Sequence, residues 1–547
     1  MSVCTEPHLV QDGHPGWVPF TGSQDLPLVD VGTGSVDELA GLDLAGKLAL
    51  LEADGTFDNP FGAAACGVDI VMIQNVRDAG AAGLVVFPSP DHVCAPLPIP
   101  LRIVQEQFTG PAKEVGIPNV HVSTQEGLDL RAQLAAEPVT VRVDGTPETP
   151  YSYVLKPYEE GHVPDSLHYT LTDAQLAAVE LDFHAPRPTT FRQHRSVWKP
   201  DDLVKAALRL SDHGAPAFVG PRSHTEYFGP VSREVLHTRS GLGRQGGLAP
   251  EGYRNRMQRA SFPEIFDQPA QARQQWYLPP KTPGARSAPE AVYDLVGPDA
   301  LQSLGMCTLC RQSGILLTHL PLVTGGPGSW QHDLGAGSSA SLAEEGFFDL
   351  EFRLFRDGAE IAPVPGLPWA VFPMPAAPGS YRMTAQGPQT EVTWTFTSSE
   401  PVEDTRRPGH TCFMELISGS TDPCSPEPIV FASYDLAGSL ELDNTVLAPG
   451  AQRFSVHAYH SPSTAPMPEI AGLELSVSYD GEQWSPARVR PAGDGRFEVT
   501  LVHPPARARA SDQVSLRVEA WDEAGNRIEQ ITRDAFILTD RVPGGAL

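Results

Sequence analysis

The chain has 547 residues, too many for one hydrophobic core, so several domains are expected. Hydrophobic residues at 41% and charged residues at 19% exclude a largely disordered chain, while 50 glycines and 54 prolines favour turns and short strands over long helices. Lys and Arg number 39 against 67 Asp and Glu, and the net charge of -28 repels phosphate backbones and anionic membrane surfaces, so nucleic acid is not an expected partner.

Residues 1–36 form a turn-rich lead-in, in which Pro27-Leu28-Val29-Asp30-Val31 reads as a strand running into the glycine loop Gly32-Thr33-Gly34-Ser35. Met1 to Gly13 contains Cys4, Glu6, His8 and Asp12 but neither a basic start nor an apolar core, so no signal peptide is visible there. No stretch is long and apolar enough to span a bilayer as a helix, and no membrane span is expected.

Asp43 to Val143 is the one long stretch in which helical and strand patterns alternate. Gly46-Lys47-Leu48-Ala49-Leu50-Leu51-Glu52 is a short apolar run opened by a glycine turn, the mark of a strand. Ile70, Val71, Ile73 and Val76 recur at helical spacing, and the glycines of Asp78-Ala79-Gly80-Ala81-Ala82-Gly83 end that helix. Leu84-Val85-Val86-Phe87, too short for a helix and apolar on both sides, reads as a buried strand stopped by Pro88-Ser89-Pro90. Val115 to Val122 gives another strand, a second helix begins at Thr124, and Val139-Thr140-Val141-Arg142-Val143 closes the unit with period-two alternation. As a set, the GK strand, the AGAAGLVV turn into a buried strand and the IP-x-V-x-V strand before a helix resemble the protease-associated (PA) domain. That resemblance implies a non-catalytic α/β domain over residues 37–148, acting as a lid or presenting peptide beside an enzyme.

Asp144 to Pro150 is a linker by composition. In residues 149–300, Leu167 to Leu171 and Ala178 to His184 alternate as strands of a half-buried sheet, and Arg233 to Pro289 reads as long loops around strands such as Gln274 to Leu278. Within residues 301–468, Gly346 to Phe355 enters an Asp357-Gly358 hairpin turn, and Gly379 to Ala385 and Thr390 to Phe396 continue the pattern of a β-sandwich. Residues 469–547 alternate cleanly in Leu473 to Tyr479, Phe497 to Leu501 and Val514 to Trp521, with turns at Asp480-Gly481 and Asp522 to Asn526. The expected fold class is therefore mainly β and multidomain, with an α/β PA domain near the N-terminus followed by β-sandwich domains ending in an immunoglobulin-like or fibronectin-III-like domain.

In that order the modules resemble the region downstream of the protease domain in large secreted bacterial subtilisin-like serine peptidases. The family's catalytic motifs, an Asp-Ser/Thr-Gly strand end, a His-Gly-Thr-His helix start and a Gly-Thr-Ser-Met-Ala helix start, are missing from this sequence. The resemblance implies a non-catalytic accessory region that interacts with substrate, with an upstream peptidase domain or a peptide or protein substrate as partner and an extracellular location. A genuine start at Met1 implies the cytoplasm instead. The alternative reading is a free-standing extracellular protein that recognises peptides or carbohydrate.

Local candidates for chemistry are weak. Asp212-His213-Gly214-Ala215-Pro216 echoes the histidine motif, but a proline follows at once and a turn is expected. Ser338 and Ser339 lie in a glycine-rich loop with no context for a base or oxyanion donors. Gly41 to Leu48 matches a P-loop except at Leu48, which cannot ligate magnesium, and the loop runs into a strand where phosphate binding needs a helix N-terminus. Gly241-Leu242-Gly243-Arg244-Gln245-Gly246 fits a dinucleotide fingerprint but has no βαβ unit around it. Asp54, Asp58 and Asn59 hint at a cation loop without a full ligand set.

The seven cysteines are expected to pair locally as Cys66 with Cys94, Cys307 with Cys310 and Cys412 with Cys424, leaving Cys4 over. Cys307 and Cys310 also fit half a zinc site with His319 and His332, or a redox pair. A zinc ribbon wants a second paired knuckle and a redox pair wants a thioredoxin-like setting, and neither is legible. No metal or cofactor is expected.

Overall fold

A computed structural model describes residues 20–53, 55–58, 64–90, 102–104, 116–145, 151–155, 168–198, 213–214, 218–245, 256–261, 264–285, 294, 307–318, 320, 322–324, 331–332, 350–366, 370–387, 389–408 and 410–540. Most of these residues lie in strands, and the chain divides into two units, Met1–Thr149 with the short segments Gly214–Phe218 and Gly247–Glu251, and the remainder from Pro150 on. The protein is thus mainly β and multidomain. No described helix is long and apolar enough to cross a membrane.

The first unit runs β1 (Gly22–Asp30), α1 (Val36–Leu39), β2 (Leu48–Ala53), β3 (Gly55–Asp58), β4 (Ala64–Asp69), α2 (Ile70–Asp78), β5 (Gly83–Pro88), β6 (Arg102–Val104), β7 (Asn119–His121), α3 (Thr124–Ala136) and β8 (Thr140–Gly145). Its main sheet has the order β7-β5-β2-β1-β8, parallel throughout except for the antiparallel edge strand β8. Period-two side-chain alternation sends successive residues of each central strand to opposite faces. Ala49, Leu51, Leu84 and Val86 pack with Ile73 and Val76 of α2, whereas Leu48, Leu50, Val85 and Phe87 pack on the side of Leu128 and Leu134 of α3. Leu48, Leu50 and Leu51 are wholly buried, each stabilising the fold by about 2 kcal/mol relative to exposure. Helix α3 starts at a capping box, in which the Glu126 carboxylate accepts from the Ser123 amide at 2.9 Å and Ser123 Oγ accepts from the Glu126 amide. Phe87 sits so close to α3 that a Cβ on Gly127 would overlap its ring.

Two expectations change here. The lead-in strand is not separate from the α/β unit, because β1 lies between β2 and β8 and contributes Leu26 and Leu28 to one face and Val29 to the other, with Val31 just past its end. The strand expected over Val115 to Val122 shrinks to β7, since Gly116 takes a left-handed conformation with φ 63° just before it.

The second unit starts with two sheets. In one, Gln271–Trp276, Ala177–Phe183, Arg222–Gly229 and Tyr151–Leu155 lie in that order. The other contains Thr189–Trp198, Leu236–Gln245 and Arg256–Ser261 as successive antiparallel neighbours. Phe183 of the first sheet and Phe191 of the second meet with ring centroids 5.3 Å apart, and Trp276 closes on Phe183 at 5.8 Å. The strand expected at Leu167 to Leu171 is irregular and largely exposed over 168–171, where it leads into the short turn Asp173–Gln175.

The C-terminal strands cross the expected boundary at 468/469. Strand Arg527–Thr539 pairs with Thr390–Ser398 on one side and Gln513–Asp522 on the other, which joins both expected sandwiches in one sheet. A facing sheet likewise mixes Val430–Asp435 and Gly450–His460 with Arg488–Gly493 and Arg496–His503. One core fills the space between, including Trp394, Tyr434, Val456, Val499, Leu516 and Ile528. Arg527–Thr539 is long enough for one of its edges to be shared in turn by Thr390–Ser398, opposite residues 527–532, and Thr445–Leu447, opposite residues 537–539.

A fragment spanning residues 20–145 is expected to melt cooperatively by circular dichroism, and one starting at Asp43 is expected to be unfolded, because it lacks the strand that joins β8 to β2. Equal melting of the two fragments would contradict this sheet order.

Candidate functional site

Strand Tyr151–Leu155 is the outermost of its sheet and pairs in parallel with Arg222–Gly229, Tyr151 opposite Thr225 and Tyr153 opposite Tyr227. Among the described residues its outer edge has no strand partner. Alternation places Tyr151, Tyr153 and Leu155 on one face, exposed by 49%, 54% and 48%. The Tyr227 ring stacks on Tyr153 with centroids 5.1 Å apart and planes at 25°, and Tyr151 meets Tyr153 edge-on at 5.8 Å.

The same face continues across Ala177–Phe183 and Gln271–Trp276 with Glu180, Asp182, Arg273 and Gln275. Arg273 Nε donates to Asp182 Oδ2 at 2.6 Å and lies 3.9 Å from Glu180 Oε2, and Ser223 Oγ also donates to Asp182. Burial acts to raise the Asp182 carboxyl, but hydrogen bonds from Arg273, Ser223 and Gln275 hold it below the usual carboxylate range. The bond to Asp182 in turn raises the Arg273 guanidinium, so both groups stay charged. The result is an aromatic stripe at an open strand edge beside a polar, charged stripe. The face offers rigid rings for apolar contact and, along the extended edge, main-chain donors and acceptors.

Beneath this face the sheet turns charge inward. Glu226, wholly buried, contacts Arg195 and lies 3.7 Å from Arg239, with His224 3.5 Å away. Arg195 also donates to Ser152 Oγ at 3.2 Å, which ties the inner side of the tyrosine strand to the same charge. Arg239 donates to Glu264 and Gln274, each at 2.6 Å, and its guanidinium lies 5.1 Å from the Phe228 ring centroid. Burial pushes the Glu226 carboxyl up, yet the charge of Arg195, a hydrogen bond from His224 and the charge of Arg239 win and hold it well below the usual carboxylate range.

The sequence motifs fall elsewhere. His213 lies in the two-residue strand His213–Gly214 and not at a helix start. Gly241 to Gln245 lie inside strand Leu236–Gln245, where a dinucleotide fingerprint would need a strand-to-helix turn, and the P-loop-like segment runs into β2. Asp58 is in β3 and His332 in strand Gln331–His332. Asp54, Asn59, Asp212, His319, Ser338 and Ser339 lie outside the described residues, as do Cys4, Cys94 and the side chain of Cys66. Cys307 is bonded to Cys310 and Cys412 to Cys424. The structure brings these two pairs together, with the Sγ atoms of Cys307, Cys412 and Cys424 within 4.8 Å of one another. The tyrosine face was not singled out from the sequence, although Tyr151-Ser152-Tyr153 carries the period-two signal for it.

No family model and no curated protein matches the sequence. Among solved structures, an aminopeptidase from Aneurinibacillus sp. strain AM-1 aligns at 14% identity over 42% of this chain and 31% of its own, with a TM-score of 0.16. A zinc aminopeptidase from Bacillus subtilis aligns at 21% identity over 21% of this chain and 23% of its own, with a TM-score of 0.15. A 1.5-MDa bacterial ice-binding adhesin aligns at 9% identity over 68% of this chain and 100% of that chain, with a TM-score of 0.13. TM-scores this low carry no assignment.

Replacing Glu226 by Gln leaves the buried Arg239 and the partly exposed Arg195 without their shared carboxylate and is expected to cost about 3–5 kcal/mol in urea unfolding. The folded carboxyl titrates below its unfolded value of about 4.3, so its stabilisation is present above that pH and is lost as the pH falls through the folded value. Melting temperature should therefore drop more steeply below about pH 4.5 in the unaltered protein than in Glu226→Gln. Parallel profiles would show that Glu226 is not held as a buried carboxylate.

Proposed function

We propose that this chain is a non-catalytic, substrate-binding companion of a peptidase, and that it holds an extended peptide against the outer edge of Tyr151–Leu155. In this reading the first unit is a PA-type module and the C-terminal sheets form immunoglobulin-like sandwich structure. The observation that supports the proposal most is the pairing of an open edge strand with three tyrosines on one exposed face. A peptide that adds to such an edge gains main-chain hydrogen bonds, and its alternate side chains land on the tyrosines. A net charge of -28 favours the approach of a basic peptide.

The test is fluorescence anisotropy of a fluorescein-labelled peptide of alternating lysine and valine with the full chain. Saturable binding is expected, and Tyr153→Ala should weaken it by about tenfold. A fluorophosphonate probe should label no serine of the same preparation. Labelling at a single serine, or peptide binding indifferent to the tyrosines, would overturn the reading, as would selective binding of glucan oligosaccharides to the same rings.

A further inference from the structure

The four cysteines near the C-terminal sheets are brought together from two distant stretches. Strand Cys310–Gln312 pairs antiparallel with Cys424–Pro426, so that Cys310 faces Pro426 and Gln312 faces Cys424. The Cys307 amide donates to the Thr411 carbonyl at 2.9 Å, which holds the turn Cys307-Thr308-Leu309-Cys310 beside Cys412, the residue that opens helix Phe413–Ser418. All four side chains are buried and form a cluster of their own. Leu309 adopts a left-handed φ of 52° at the tip of the turn, which brings the two cysteines of the C-x-x-C segment to one side.

We infer that in its reduced form this cluster is a four-thiolate site for a single zinc ion. The second cysteine pair that a zinc knuckle needs is absent near Cys307 in sequence and is supplied by the fold, as Cys424 of the neighbouring strand and Cys412 at the start of the helix. Tetrahedral zinc with Zn–S bonds of about 2.3 Å sets its sulfurs about 3.8 Å apart. The sulfurs of Cys307, Cys412 and Cys424 already lie within 4.8 Å of one another, and Cys310 is bonded to Cys307, so closing the site means opening each bonded pair by about 2 Å on reduction. That spacing leaves room for one ion and none for a multi-iron cluster. Soft thiolates in tetrahedral array favour zinc over magnesium or calcium.

The chemistry balances with a small dithiol as reductant. Each disulfide takes up two electrons and two protons, and each dithiol is oxidised to its cyclic disulfide. Zinc then displaces four thiol protons, giving a site of net charge minus two, so binding weakens as the pH falls. The oxidised cluster staples the same segments by two disulfides, and the two states hold one fold in either redox setting.

The experiment uses the full chain carrying Cys4→Ser, Cys66→Ser and Cys94→Ser, so that only the cluster retains thiols. Protein reduced by a dithiol under argon is mixed with zinc sulfate, desalted and assayed for metal and for thiols reactive with a chromogenic disulfide. One zinc per chain is expected, with reactive thiols falling from four to none. Cobalt in place of zinc should give the visible absorption of a tetrahedral thiolate complex, a readout on the same folded variant that needs no further substitution. Adding Cys412→Ser and Cys424→Ser should abolish retention. Four thiols that stay reactive in zinc, or cobalt without tetrahedral absorption, would overturn the inference.

Discussion

One buried carboxylate sets the orientation of the face that matters most. Glu226 must point inward, because only there do Arg195 and Arg239 neutralise it, and a buried carboxylate without partners would be far too costly. Strand geometry then leaves its neighbours no choice. Thr225 and Tyr227 point outward, and the parallel register sends Tyr151 and Tyr153 the same way. A slip of one residue would bury the tyrosines and expose Glu226, so the charge acts as a register lock as well as a source of stability. The bond from Arg195 to Ser152 extends that lock to the edge strand itself.

The same logic of shared partners explains the C-terminal architecture. Strand Arg527–Thr539 takes Thr390–Ser398 and Gln513–Asp522 as neighbours, and a single core lies under all three. The main-chain groups on its second edge are met by Thr390–Ser398 and Thr445–Leu447, from well upstream in the chain. The sheet that carries Cys310 and Cys424 is built in the same way, from Cys310–Gln312 and Cys424–Pro426.

Local pattern was legible in the sequence, and long-range pairing was not. The apolar run at Leu48 to Leu51, the helix at Ile70 to Asp78 and the alternation at Thr390 to Ser398 all declare themselves through period and composition. Nothing in those periods says that β1 lies between β2 and β8, or that Arg527–Thr539 reaches back to Thr390–Ser398, because a ladder pairs main chains and leaves little trace in side-chain type. Of the candidate sites, the cysteine pairs are readable from spacing, but their meeting depends on strands about a hundred residues apart. The tyrosine strand is only five residues long and follows a proline-rich linker, so its pattern is brief, and the aromatic face is completed by Tyr227, which no local signal connects to it.

The claim that the edge of Tyr151–Leu155 receives an extended peptide is tested most directly by hydrogen–deuterium exchange of the full chain with and without the lysine–valine peptide. The main-chain amides of residues 151–155 face outward along that edge or into the pairing with Arg222–Gly229, and a bound strand would cover the outward ones. Slowed exchange concentrated in residues 151–155 is the predicted result. Unchanged exchange there, with slowing at another edge under saturating peptide, would contradict the account.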